Sequence, residues 1–164
     1  MKRPFFQPGP PPTGQFWFTE YHSPSSGITV RVEKSLFSGR SDFQEVALFE
    51  TEDYGRMLVL DGAIQTTERD EFVYHEMIVH VPLLAHPAPR RVLIVGGGDG
   101  GCVREALRHP GVERVTLVEI DGMVVETCRK YLPGIAGSLS DPRAEVRIED
   151  GVKFVRGRRG EFDV

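Results

Sequence analysis

The chain has 164 residues, with 24 acidic and 20 basic side chains for a net charge of −4, and is 27% charged and 40% hydrophobic. That is about one domain's worth of chain by length, and its composition excludes wholesale disorder and a bulk basic field for nucleic acid. No apolar run approaches the ~18 residues of a membrane span, and Lys2 and Arg3 are followed by no apolar stretch of a secretory signal.

Five of the 12 prolines fall within residues 1–12, so 1–15 reads as a flexible proline-rich tail. From residue 16 to 67 the signals are those of a small domain of β-hairpins. Ile28, Val30 and Val32 alternate with Thr29, Arg31 and Glu33, the period of a half-buried strand. Val46 and Leu48 begin a second such run. Leu58-Val-Leu60 and Ala63-Ile-Gln65 flank Asp61-Gly62, a two-residue hairpin signal. Thr67 to Asp70 has the form of a helix start, followed by Phe72, Val73, Met77 and Val81 at helical spacing. Pro82 should kink or end that helix, and 86–90 is a connector.

Beyond Arg90 the pattern changes. Val92-Leu-Ile-Val95 is a short continuous apolar run, as expected of a parallel strand buried on both faces, Val115-Thr-Leu-Val118 is a second buried strand, and Ala144–Ile148 is a third strand. Helices are expected between them, one reaching about Arg108 and one capped by Asp121 and reaching about Leu132. A short helix should follow Asp150. This β-α-β-α-β alternation predicts a parallel sheet, so 68–164 reads as a linker helix and the first part of a nucleoside-binding domain. Residues 161–164 look like the entry into a further strand, with the rest of the domain expected beyond Val164. Cys102 and Cys128 form no CxxC and no zinc spacing. They read as small buried residues of a reducing, cytoplasmic compartment. His22, His80, His86 and His109 have no cluster pattern, so no metal is expected.

Gly96-Gly-Gly-Asp-Gly-Gly101 directly follows a strand and opens a helix. Without Cβ atoms at Gly96, Gly98 and Gly100 the backbone can pass close against a nucleoside. Glu119, at the end of the next strand, can accept two hydrogen bonds from the vicinal hydroxyls of a ribose. Together they indicate an adenosine-type ligand: a dinucleotide, S-adenosylmethionine or another adenosyl sulfonium. Asp99 inside the loop would repel a pyrophosphate and suits neither that group nor a carboxylate. Attraction of an ammonium is worth roughly 4 kcal/mol at 4 Å in a partly dry site, so an adenosyl sulfonium with an aminopropyl tail fits best.

Three stretches, Asp61–Met77, Gly96–Gly101 and Val118-Glu-Ile-Asp121, resemble the polyamine aminopropyltransferase family, with spermidine synthases as the most similar members. The likeness extends through 17–21, 43–45, 131–133 and 150–151. It implies an α/β fold, a small N-terminal antiparallel β-hairpin domain followed by a Rossmann-like (methyltransferase-like) parallel sheet with flanking helices. It also implies transfer of the aminopropyl group of decarboxylated S-adenosylmethionine to putrescine, giving spermidine and methylthioadenosine. The donor is then a co-substrate, no cofactor or metal is needed, and the complete protein is a homo-oligomer, a dimer or tetramer, with no nucleic-acid or membrane partner.

Residue by residue, the resemblance implies that Gln44 contacts the nucleoside side of the donor and Glu119 the ribose. Asp150 and Gly151 face the adenine, and Asp99 takes the amine end. Tyr74 and His75 line the amine pocket, with Gln65 a further candidate. The family's catalytic Asp, which deprotonates the attacking amine, is expected beyond Val164, so residues 1–164 alone should be inactive. Two rivals remain at this point. One is a nucleoside-binding module without catalysis. The other is a methyltransferase, although such enzymes usually carry an acidic residue in the first strand, near Ile94, where this chain has none.

Overall fold

The computed structural model describes residues 16–164. The proline-rich stretch 1–15, read as a flexible tail, lies outside the described residues. Five strands form an antiparallel meander in the order β1-β2-β3-β4-β5: β1 (Phe16–Ser23), β2 (Ser26–Arg40), β3 (Glu45–Thr51), β4 (Gly55–Leu60) and β5 (Ala63–Thr67). The period of two sorts side chains onto two faces. Val46, Leu48 and Leu58 enter the main core, while Val30, Met57 and Val59 form a second cluster with Phe18, Phe49 and Ile64. The expected hairpin is present between β4 and β5. Asp61 and Gly62 take positive φ of 47° and 79°, the twist that suits a two-residue connection. Asp61 also accepts the Glu45 N–H at 2.8 Å, tying this turn to the start of β3.

Helix α1 (Glu71–Ala85) leads into a parallel sheet of β6 (Arg91–Val95), β7 (Arg114–Glu119) and β8 (Ala144–Ile148), in that order. Between β6 and β7 runs α2 (Gly101–Leu107). Between β7 and β8 run α3 (Gly122–Tyr131), α4 (Pro133–Ala136) and a 3-10 turn at Gly137–Ser140; α5 (Gly151–Val155) follows β8. Val92, Val115 and Leu117 of the sheet pack with Val103, Val124, Cys128 and Leu132 of the helices in one core, joined by Val46 and Leu48 of the first sheet.

Four sequence expectations are corrected. The strand β7, flanked on both edges, is buried along most of its length, but β6 is not: Val95 is 57% exposed, because the C-terminal end of β6 is open. Thr67 does not cap α1. Its hydroxyl donates to Asp70 at 2.7 Å, closing the turn before a helix that begins at Glu71. Of the two outcomes expected of Pro82, ending the helix is overturned: α1 continues to Ala85, without the bond that Pro82's missing N–H would have made. The buried stripe of α1 is Glu71, His75, Val79 and Leu83, whereas Phe72, Val73, Met77 and Val81 are turned outward. With apolar residues around most of the helix, an ion-pair network at His75 selects the face that packs on α2.

The segment 161–164 forms no strand, but it lies along β6. Asp163 N–H donates to Arg91 O at 2.8 Å, and Leu93 N–H donates to Val164 O at 2.9 Å.

Candidate functional site

A cavity of about 620 Å³ lies between the first sheet, α1, the length of β6 and the C-terminal end of β7. Ligands of open α/β sheets bind outside the carboxyl ends of the strands, and the sequence-predicted residues gather there. Gln44, Gln65, Tyr74, His75, Gly96, Gly98, Asp99 and Glu119 all share its wall. These residues come from β3 or the turn before it, β5, α1, the glycine loop and β7, so neither sheet builds the site alone.

The loop turns sharply because Gly96, Gly97 and Gly100 hold φ of 81°, 78° and 86°, which side chains with a Cβ rarely adopt. Gly98 is required for space instead: a Cβ there would lie 3.0 Å from Glu119 Cγ. Its N–H donates to Glu119 Oε2 at 3.1 Å, and Asp121 N–H donates to Oε1 at 3.0 Å. Glu119 is therefore fixed, with each oxygen using one of its two lone-pair directions. The other two are left for vicinal hydroxyls. Gly100 is placed away from the cavity wall and packs against Ala136 and Leu139.

Asp121, read from sequence only as a helix cap, does more. Oδ1 caps α3 through Met123 N–H at 3.0 Å. Oδ2 accepts from Ser41 Oγ and Gln44 Nε2, both at 2.8 Å. This buried carboxylate thereby pins the turn between β2 and β3 to the parallel sheet and orients Gln44 at the cavity. Chain separations of 77 to 80 residues conceal the link from a sequence pattern.

Asp99 Oδ1 accepts the Gly101 N–H at 2.7 Å and faces His75 Nε2 at 3.2 Å. His75 Nδ1 lies 2.5 Å from Glu71 Oε2, which also receives Arg104 at 2.8 Å. Burial, the largest influence on Asp99, pushes its carboxyl up. The hydrogen bond and charge of His75 and the Gly101 N–H outweigh it and hold the carboxyl below the ordinary range. Burial likewise presses His75 down, but Asp99 and then Glu71 raise it above the usual imidazole value. Tyr74 stands edge-on to the His75 ring at 5.3 Å between centroids, is 61% exposed and lines the cavity. Gln65 donates weakly to Ala63 O at 3.3 Å.

The same helix pair corrects the reading of the remaining histidines as unclustered. His80 Nδ1 and His109 Nε2 are 2.9 Å apart, and His80 Nε2 is 3.3 Å from Glu105. Glu76, His80 and Glu105 bring three ligand-type atoms within 4.8 Å of one another. Arg104 and Arg108 already bond Glu105 at 2.8 and 2.9 Å, so its charge is balanced and the group is an ion-pair network. Sequence reading missed Glu71 and Arg104 as well; the i,i+4 spacing of Glu71 and His75 was the available signal.

Asp150 and Gly151 are not on the cavity wall. Asp150 caps α5, accepting from Val152 and Lys153 N–H at 2.9 and 3.1 Å. Gly151 lies beneath Val95, where a Cβ would come 2.4 Å from Cγ1. Val95 lines the cavity, so the pair stands just behind it. Cys102 and Cys128 are buried free thiols; burial pushes Cys102 up to about 12 and Cys128 strongly upward as well, too high for nucleophilic use. Among the described residues no helix is long and apolar enough to cross a membrane.

Comparison with known proteins agrees with this architecture. A family model for the spermine/spermidine synthase domain matches residues 71–164, and one for the spermidine synthase tetramerisation domain matches 16–68. The chain is 52% identical over 150 residues to a polyamine aminopropyltransferase of Bacillus mycoides, covering 92% of this chain and 54% of that protein. It is 55% identical over 148 residues to the one of Moorella thermoacetica, covering 90% of this chain and 52% of that protein. Spermidine synthase from Thermotoga maritima superposes with a TM-score of 0.88 at 46% identity, over 90% of this chain and 52% of that one. A spermidine synthase solved with the transition-state analogue AdoDATO matches equally well. The chain thus spans about half the length of the curated relatives it matches. With a family match over the whole of 71–164 and a fold that agrees, the chain belongs to the spermine/spermidine synthase family.

Proposed function

We propose that the protein is an aminopropyltransferase that moves the aminopropyl group of decarboxylated S-adenosylmethionine to putrescine. The observation that carries this reading is Asp99. It is an ionised carboxylate in the wall of a cavity whose other side holds Glu119, placed for an ammonium at one end of an adenosyl ligand and a ribose at the other. The relatives' name, polyamine aminopropyltransferase, and the AdoDATO complex of a similar structure support the same substrate class.

In the reaction, the amine nitrogen of putrescine bonds to the methylene beside the sulfonium, and the carbon–sulfur bond breaks. The sulfonium leaves as the neutral thioether of methylthioadenosine, so no acid is needed to assist it. The attacking amine must first lose a proton, because an alkyl ammonium has no lone pair at neutral pH. A carboxylate base taking that proton would add about 10²–10⁴-fold. The residues of this chain bind and orient: Asp99 and Tyr74 the amine-bearing chain, Glu119 and Gln44 the nucleoside, with Asp150 at the N-terminus of α5 kept for the adenine. In-line placement of this kind contributes several kcal/mol to a displacement. The donor is a co-substrate and the chemistry asks for no further cofactor.

The meander over 16–67, matched by a tetramerisation domain, is the surface through which a homo-oligomer assembles. Two buried thiols with no disulfide suit the reducing cytoplasm. The test is turnover by the full-length protein of decarboxylated S-adenosylmethionine with putrescine, read as spermidine and methylthioadenosine by mass spectrometry. Methyl transfer from S-adenosylmethionine, or no product from either donor, would overturn the reading.

A further inference from the structure

We propose that Glu71, anchored by Arg104, is a positioning residue that holds the His75 ring doubly protonated, so that its Nε2–H steers the Asp99 carboxylate. The inference rests on the reading of Asp99 as the anchor of the donor's ammonium.

An ionised carboxylate only accepts hydrogen bonds, and a neutral imidazole has one N–H. His75 meets a carboxylate at each ring nitrogen, Glu71 at 2.5 Å and Asp99 at 3.2 Å, and is only 1% exposed. With one proton, the ring would press a lone pair against a carboxylate in a dry site. Arg104 donates to the Glu71 carboxylate at 2.8 Å, and the Gly101 N–H donates to that of Asp99 at 2.7 Å. The ring therefore carries both protons. It cannot swing away, because it is wedged on the first turn of α2, where a Cβ on Gly101 would lie 2.2 Å from Cε1.

Charge then alternates along one line: Arg104 positive, Glu71 negative, His75 positive, Asp99 negative. Among the described residues no other residue's donor reaches Asp99 Oδ2, so an ammonium in the cavity continues the alternation. Glu71 and Arg104 lie off the cavity wall and act only through His75.

An ammonium placed on Asp99 lies close to the imidazolium and weakens its hold on its proton. Affinity for the cationic donor must then rise as pH climbs through the His75 titration. A nucleoside without the ammonium, methylthioadenosine, lacks this dependence. The charged and titratable groups around the ring are Glu71 and Tyr74 on its own helix, Asp99 in the loop, and Cys102 and Arg104 on α2. Burial raises Tyr74 above its ordinary 10, Cys102 is pushed up to about 12, and the Glu71 hydrogen bond raises Arg104, which leaves His75, raised above the usual imidazole value, as the group whose titration the ammonium meets.

The experiment uses the full-length protein with 15N-labelled histidine, the His75 signals being assigned by His75→Gln. Calorimetric titrations with decarboxylated S-adenosylmethionine and with methylthioadenosine run from pH 6 to 9. We expect both His75 nitrogens protonated at pH 7. Donor affinity should rise with pH by about tenfold for each pKa unit that binding takes from the ring, while methylthioadenosine stays flat. Glu71→Gln keeps an acceptor but removes the charge, and should move the rise to lower pH. A singly protonated His75 at pH 7, or identical pH profiles for Glu71→Gln and the parent, would overturn the inference. If Glu71→Gln does not fold, the ring's protonation in the parent decides alone. If neither ligand binds at any pH, the reading of the function falls, and the ring's protonation still judges the role of Glu71.

Discussion

At the scale of single residues, two carboxylates, Asp99 and Glu119, would divide the donor between them under the proposed function. Glu119 has one backbone donor on each oxygen and two lone-pair directions left. Glu119→Gln should therefore weaken methylthioadenosine binding by about 1–3 kcal/mol, the cost of disrupting charged hydrogen bonds. Calorimetry with a 2′-deoxy analogue checks the cause: the loss on removing the hydroxyl should be smaller in the variant than in the parent, and equal losses would remove the assignment. Asp99→Asn should narrow the preference for decarboxylated S-adenosylmethionine over the parent sulfonium, measured as the ratio of the two affinities. His75 also carries a stability signature. Its folded pKa is raised by Asp99 and Glu71 against burial, so the folded chain holds the proton more tightly than the unfolded one. That contribution is fully present below about pH 6.5 and is lost as pH rises through the higher folded value. Urea midpoints at pH 6 and pH 9 should fall further apart in the parent than in His75→Gln.

At the scale of elements, the contact between α1 and α2 rests on a glycine. Gly101→Ala would gain up to about 1 kcal/mol of helix propensity. Its Cβ, however, would meet the His75 ring at 2.2–2.6 Å, and overpacking of this kind costs about 1–3 kcal/mol. The clash should win, with a net fall in the denaturation midpoint and a displaced His75 resonance. An increase in stability would show that α1 can shift without cost. Helix α1 also illustrates what periodicity leaves open. Its apolar residues surround most of the helix, so the spacing of Phe72, Val73, Met77 and Val81 identified a helix but not its buried face. The choice was made by polar groups, Glu71 and His75, whose burial requires partners that only α2 and the loop provide.

At the scale of the whole molecule, the two sheets are joined by a shared apolar core and by Asp121. Removing this carboxylate in Asp121→Ala deletes the α3 cap, worth about 0.5–2 kcal/mol. It also strips Ser41 and Gln44 of their buried partner, at about 1–3 kcal/mol. The variant should be destabilised, and amide exchange of residues 41–45 should accelerate more than that of β7. Uniform acceleration would mean that Asp121 acts only as a cap.

Much of this protein was determined by sequence alone, and for local reasons. Strand periods of two, the Asp61-Gly62 turn and the apolar runs of β6 and β7 express preferences that neighbouring residues settle among themselves. The glycine loop is legible for the same cause, since positive φ at Gly96, Gly97 and Gly100 is a property of the residue type. Tertiary structure alone decided everything that depends on distance in the chain. It joined Gln44 to Asp121 across 77 residues, His80 to His109 across 29, and Arg104 to Glu71 across 33. It also set Asp150 behind Val95 rather than on the cavity wall. Hydrogen bonds and ion pairs form between groups brought close by packing, and sequence order carries no record of which helix face will pack.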